Sequence, residues 1–283
     1  MKNISRGDFL KTMGGLFIVP GYVQKPVNKK YQPRLSFSTI GCPDWSLQKI
    51  IDFAALYKYA GVEIRGVQRE LDLSNSKYFN SNAAIAETLN RFNDKNIKIV
   101  ALGSSCELHH QNAEVREKNI DEAKRFIGIA EKLGCPYVRV FPNNFVDGQP
   151  HKKTIETIAS GLSLLGDYAK GSKVKVLIET HGDLLFSDDI LKIMSLADNE
   201  NTGIIWDLPN MWPVYKESPV TIYAKLKKYI CHTHIKDVKM ENGKEIIKFP
   251  GEGEVPVFEL MDILASHDYK GYFSFEWEKL WHP

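Results

Sequence analysis

Short runs of β-branched and aromatic residues recur along this chain, each separated from the next by a longer stretch whose apolar positions fall three and four apart. The short runs are Leu35–Gly41, Val62–Arg65, Lys98–Gly103, Tyr137–Phe141, Val174–Thr180, Gly203–Asp207, Ile230–Lys236 and Tyr272–Trp277. Runs of that length and composition predict strands. In the intervening stretches, Ala123, Phe126, Ile127, Ala130 and Leu133 share one helical face, as do Ile155, Ile158, Leu162 and Leu165. Gly61 before the second strand and Gly134-Cys135-Pro136 before the fourth punctuate the helix ends. Repeated βα units predict an α/β fold around a parallel sheet. An open doubly wound sheet carries a Gly-rich phosphate turn after its first strand, and Ile40-Gly41-Cys42-Pro43-Asp44-Trp45 is not one. A closed (β/α)₈ TIM barrel over residues 31–283 is therefore expected, as one domain. The last run ends close to Pro283, so the eighth outer helix should be short or missing, with the N-terminal arm covering the gap.

Composition narrows the partners. Against 35 Asp and Glu, 37 Lys and Arg leave a net charge of +2, too small for a nucleic-acid track or a polybasic membrane anchor. Cys42, Cys106, Cys135 and Cys231 have no metal-ribbon spacing and read as buried thiols. Residues 1–30 read as a signal-like or disordered arm: basic Lys2 and Arg6 precede a short apolar run from Met13 to Pro20. Its S-R-G-D-F-L-K stretch resembles a twin-arginine export signal with Gly7 in the second arginine position. A periplasmic or exported location is expected, with the cytoplasm as the alternative. No later segment is long and apolar enough to span a bilayer.

The chemistry gathers where strands end. The fifth run closes on Glu179-Thr180-His181, the sixth on Asp207, the seventh on His232-Thr233-His234-Ile235-Lys236, and the eighth on Glu276-Trp277-Glu278. In a barrel these ends converge on one mouth, and alternate residues point inward. Glu179 and His181 share a parity; so do His232, His234 and Lys236, and so do Ser274 and Glu276, opposite Phe273, Phe275 and Trp277. The aromatics should face the helices and the polar groups the interior. Several carboxylates inside an apolar barrel cost several kcal/mol per ion without compensation, so a cation is demanded. Three carboxylates and one imidazole from these ends would form a mixed oxygen and nitrogen set suited to a divalent metal ion, Mn²⁺ first and Mg²⁺, Co²⁺ or Zn²⁺ as alternatives. Read singly, each acid has a blander role; Asp207, for one, is placed to cap a helix.

The segments E-T-H-G, W-D-L-P-N, H-T-H-I-K-D and G-Y-F-S-F-E-W-E, in that order, resemble the sugar phosphate isomerase/epimerase family of xylose-isomerase-like barrels from about Arg34 onward. The resemblance implies metal ligation by Glu179, Asp207, His234 and Glu276. It also implies a substrate site lined by His181, Asn210, His232 and Lys236, with Glu63 and Arg139 added from the second and fourth strands. His232 is alternatively read as a satisfied interior histidine, Glu63 and Arg65 as an ion pair at the rim, and His109 and His110 as solvated surface histidines. In ketose epimerases of this family a second carboxylate follows a turn beyond the fifth-strand glutamate; here that region reads Gly182-Asp183-Leu184-Leu185, which weighs against a simple ketose 3-epimerase. The implied activity is a metal-dependent isomerase or epimerase acting through an enediolate on a ketose, inosose or related keto-sugar. Glu179 and Glu276 would be the acid/base pair, and Lys236 would donate to the departing or migrating oxygen. A dehydratase or lyase on a keto-sugar or keto-glycoside is the alternative, and a non-catalytic sugar-binding barrel the third reading. A phosphodiester-cleaving endonuclease of the same fold would need more histidine ligands and a basic surface. The partner is thus a small sugar or polyol, with no nucleic acid and no stable membrane insertion; homo-oligomerisation is left open. An exported protein would meet free rather than phosphorylated sugars.

Overall fold

A computed structural model describes residues 31–281. The signal-like arm, and with it the expectation that the arm covers the gap at the last strand, lies outside the described residues. Eight parallel strands close a barrel: β1 (Arg34–Ser38), β2 (Gly61–Ile64), β3 (Lys98–Glu107), β4 (Tyr137–Phe141), β5 (Lys175–Glu179), β6 (Thr202–Asp207), β7 (Ile230–Ile235) and β10 (Tyr272–Phe275), with β10 pairing β1. Around them lie helices α1 (Leu47–Leu56), α2 (Asn82–Asp94), α3 (Ala113–Leu133), α4 (His151–Tyr168), α5 (Ser187–Ala197), α6 (Leu208–Tyr215), α7 (Pro219–Leu226) and α8 (Val257–Ser266). No described helix is long and apolar enough to cross a membrane.

Local signals fix the helix ends. Ser46, Ser81, Asn112 and Ser218 accept backbone N–H bonds at the starts of α1, α2, α3 and α7. Gly134 ends α3 in the left-handed conformation, with φ 63°. The predicted faces of α3 and α4 are buried against the barrel, each large apolar side chain contributing roughly 1.5–3 kcal/mol. All four cysteines are free, three of them buried and Cys231 half-buried.

The largest departures from the sequence reading are three. The first strand stops at Ser38 and continues as a 3₁₀ turn over Thr39–Gly41. The third runs on to Glu107, with a register shift against β4 between Gly103 and Glu107. After β7, an antiparallel hairpin of β8 (Asp237–Glu241) and β9 (Lys244–Lys248) projects beside the barrel. It turns at Asn242-Gly243, both with positive φ, as a two-residue hairpin turn requires.

No helix follows β10 among the described residues. On that flank a cavity of about 440 Å³ is walled by Phe37, Trp45, Phe53, Phe275 and Trp277. Trp45 packs edge-on against Phe53 there.

Candidate metal centre

Alternation carries the polar residues of the strand ends into the barrel. Glu179, Asp207, His234, Lys236 and Glu276 are all buried, while Trp206 and Phe273 pack outward into the core. One donor atom from each of Glu179, Asp207, His234 and Glu276 lies within 4.8 Å of the others. His234 Nδ1 is 3.1 Å from Asp207 Oδ2, 3.2 Å from Glu276 Oε2 and 3.9 Å from Glu179 Oε1. Asp207 caps α6 as expected, Oδ1 accepting the Asn210 N–H at 3.1 Å, and its Oδ2 faces the cluster.

Fixed cations brace the carboxylates. Arg139 donates from Nη1 to Glu179 Oε2 at 2.8 Å and stacks on the Phe141 ring. Lys236 Nζ donates to Asp207 Oδ2 at 2.9 Å, Glu276 Oε2 at 3.0 Å and Glu278 Oε1 at 2.6 Å. Burial opposes the charge on Lys236, but Asp207, Glu276 and Glu278 outweigh it and raise the ammonium pKa well above the ordinary lysine value. The two candidate base and acid glutamates are pushed apart. Burial raises Glu179 despite Arg139, whereas at Glu276 the charges of His234 and Lys236 overcome burial and hold the carboxyl well below its usual range.

Arg139 reaches its partner because β3 carries Gly103. A Cβ at that position would stand 2.7 Å from Arg65 Cδ and 2.9 Å from Arg139 Nη2. The loop after β5 is equally specific. Gly182 has φ +68° and lies so close to the Asn143 backbone that a Cβ would meet Asn143 O at 2.5 Å. That approach lets His181 Nδ1 bond Asn143 Oδ1 at 2.8 Å. Asn210 Nδ2 donates to Thr180 O at 3.1 Å and lies 3.4 Å from Glu179 Oε1.

Glu63 and His232 do not join this layer. Both point inward, as their parity requires, and are essentially unexposed, but they lie behind His234, on the side of its Nε2 and away from the Nδ1 that faces the cluster. Glu63 Oε2 is 3.0 Å from His232 Nε2, 3.2 Å from His234 Nε2, and accepts from Ser274 Oγ at 3.1 Å. Parity selects a side of the sheet and says nothing of depth, which is why both read as residues of the substrate site; the alternative reading of His232 as a satisfied interior histidine fits its place beside Glu63. The Glu63–Arg65 rim pair does not form either. Arg65 instead donates to Ser105 Oγ at 2.9 Å, and its pKa is pulled down to about 9 by burial and the neighbouring Arg139. Arg65 and Glu278 belong to the site and were passed over. The signal for each was present, since 65 continues the parity of 63 and 278 that of 276.

His109 and His110 are not the solvated pair expected. The His109 side chain is only 12% exposed, and both imidazoles lie against Glu107.

The four convergent donors suit a divalent cation: three carboxylates and an imidazole, buried, with His234 oriented from behind by Glu63. A family model described as a xylose isomerase-like TIM barrel matches residues 51–282. The chain is 26% identical over 153 residues to an inosose dehydratase from Clostridium botulinum, an alignment covering 47% of this chain and 51% of the relative. It thus spans about half the length of the curated relatives it matches. Among solved structures, a probable 3-DHS dehydratase from Bacillus anthracis superposes with TM-score 0.70 at 19% identity, over 87% of this chain and 93% of that one. A 3-keto-D-glucoside 4-epimerase from E. coli superposes with TM-score 0.70 at 14% identity, over 87% and 92%.

Proposed function

The chain belongs to the xylose isomerase-like TIM-barrel family, and on that premise we propose that it is a divalent-metal-dependent enzyme acting on a cyclic keto-polyol or keto-sugar, with dehydration as its reaction. The observation that carries this reading is Lys236, a fully buried ammonium set among Asp207, Glu276 and Glu278 at the same mouth as the Glu179–Arg139 pair. Elimination needs a base for the proton on the carbon beside the carbonyl and an acid for the departing hydroxyl. Glu179, the more basic carboxylate, takes the proton. The C–H pair becomes the new C=C bond, the β C–O bond breaks, and Lys236 Nζ gives the departing hydroxide its proton, releasing water. A divalent ion held by Glu179, Asp207, His234 and Glu276, with Mn²⁺ the first to try, supplies a Lewis acid for the substrate carbonyl.

Other residues prepare the site. Glu63, accepting at His234 Nε2, leaves Nδ1 as the ligand atom, and His232 holds Glu63 in place, so both act through His234. His181, Asn210 and Arg139 are the side chains proposed to orient hydroxyls of the substrate. The inosose and 3-DHS dehydratase relatives support the class of reaction. The signal-like residues 1–30 support an exported enzyme that meets unphosphorylated sugars.

Epimerisation or isomerisation is the second reading, favoured by the presence of both Glu179 and Glu276 in the donor cluster and by the epimerase neighbour. Product analysis in D₂O with Mn²⁺ separates the two on a panel of inososes, ketoses and 3-keto-glycosides. Dehydration is expected, giving a product that has lost one water and absorbs as a conjugated ketone. A product of unchanged composition carrying one deuterium would replace this reading with epimerisation or isomerisation. Binding without any product would leave a sugar-binding barrel.

A further inference from the structure

The end of β3 and the loop that leaves it carry three ligand-type side chains that the central site does not use. Glu107 Oε2 lies 2.9 Å from His110 Nε2 and 3.9 Å from His109 Nδ1, and one donor atom of each residue lies within 4.8 Å of the other two. His109 Nδ1 is buried and has no hydrogen-bond partner. It faces the carboxylate across a gap too long for a hydrogen bond. Neighbouring donors around a tetrahedral zinc, with bonds of about 2.0–2.1 Å, stand roughly 3.3 Å apart, and the two observed separations bracket that value.

The backbone under these donors is pinned. Glu107 N donates to Asn119 Oδ1 at 2.7 Å, and Leu108 N donates to Phe141 O at 2.9 Å. Leu108 is buried between the two donors, so Glu107 and His109, two residues apart, emerge on one side. The two imidazoles pack with ring centroids 4.1 Å apart. Asp183, from the loop after β5, adds negative charge facing His109.

We propose that Glu107, His109 and His110 form a second metal site, separate from the central one, which takes a divalent transition ion of the zinc class and leaves at least one coordination position open. Two imidazoles and one carboxylate are a borderline donor set, which favours Zn²⁺ over the hard ions Mg²⁺ and Ca²⁺. No donor is shared with Glu179, Asp207, His234 and Glu276.

The test is a zinc count on the full chain. Chelator-stripped wild type and the double variant Glu107→Gln/His110→Ala are loaded with Zn²⁺, freed of excess ion by gel filtration and assayed by elemental analysis, with isothermal titration in parallel. Both altered side chains are partly exposed, which spares the core, and circular dichroism verifies the fold. Should the double variant fail to fold, His110→Ala alone serves. The variant is expected to hold one zinc fewer per chain than the wild type. Equal zinc content in the two proteins would overturn the second site, whatever the central site does.

Discussion

Replacing Lys236 with Met lowers turnover by about 10³-fold while leaving the divalent ion bound. Met keeps the length and the apolar stem but removes the proton donor and its charge. In the wild type, Nζ lies within 3.0 Å of Asp207, Glu276 and Glu278, so the variant leaves three carboxylates facing one another with one cation fewer. Metal should compensate at Asp207 and Glu276. The metal-loaded variant is therefore expected to melt near the wild type, and the metal-free variant clearly below its own wild-type counterpart. Single-turnover rates and thermal melts, each with and without Mn²⁺, measure both effects. Turnover within a few-fold of wild type would remove Lys236 from the chemistry and leave it a structural counter-ion.

Asp237→Asn costs about 3 kcal/mol of stability, read as a shift in denaturant midpoint. Asp237 is fully buried, and its carboxylate accepts four backbone N–H groups: Val238 at 2.9 Å and Val255 at 3.0 Å on Oδ1, Gly251 and Gly253 at 2.9 Å each on Oδ2. An amide offers one acceptor oxygen and turns an NH₂ toward the other two donors. The position also explains Gly253, where a Cβ would stand 2.2 Å from Asp237 Oδ1. The last residue of H-T-H-I-K-D and the glycines Gly251 and Gly253 are thus one structural knot, tying the segment after β9 to the start of β8. A loss under 1 kcal/mol would show that the segment is held by other contacts.

The barrel and the main donor set were legible because both rest on alternation. A strand buried on both faces still sends every second side chain inward, so the strand ends place Glu179, Asp207, His234 and Glu276 inside, and the family resemblance singles them out from His181, His232 and Glu278. Depth did not follow, because it depends on register between strands far apart in sequence. Glu63 on β2 and His232 on β7 meet only because the closed sheet brings them together beneath His234. The hairpin after β7 was missed for a different reason. Asn242-Gly243 between alternating residues is a strong turn signal, but the segment lies between two barrel units and reads as connection. His109 reads as solvated because nothing in a loop sequence tells that Leu108 anchors it to β4. Gly103 gives no pattern at all; its role appears only when Arg65 and Arg139 cross over it.

The most direct measurement of the central claim is Mn²⁺ titration of the chelator-stripped protein, following bound ion by electron paramagnetic resonance and turnover on the same samples, alongside Asp207→Asn. Turnover is predicted to rise with occupancy of one Mn²⁺ site in the wild type, and both the high-affinity signal and the activity are predicted to be lost in the variant. Full activity in the stripped protein, or unchanged Mn²⁺ binding in Asp207→Asn, would contradict a catalytic metal at these four donors.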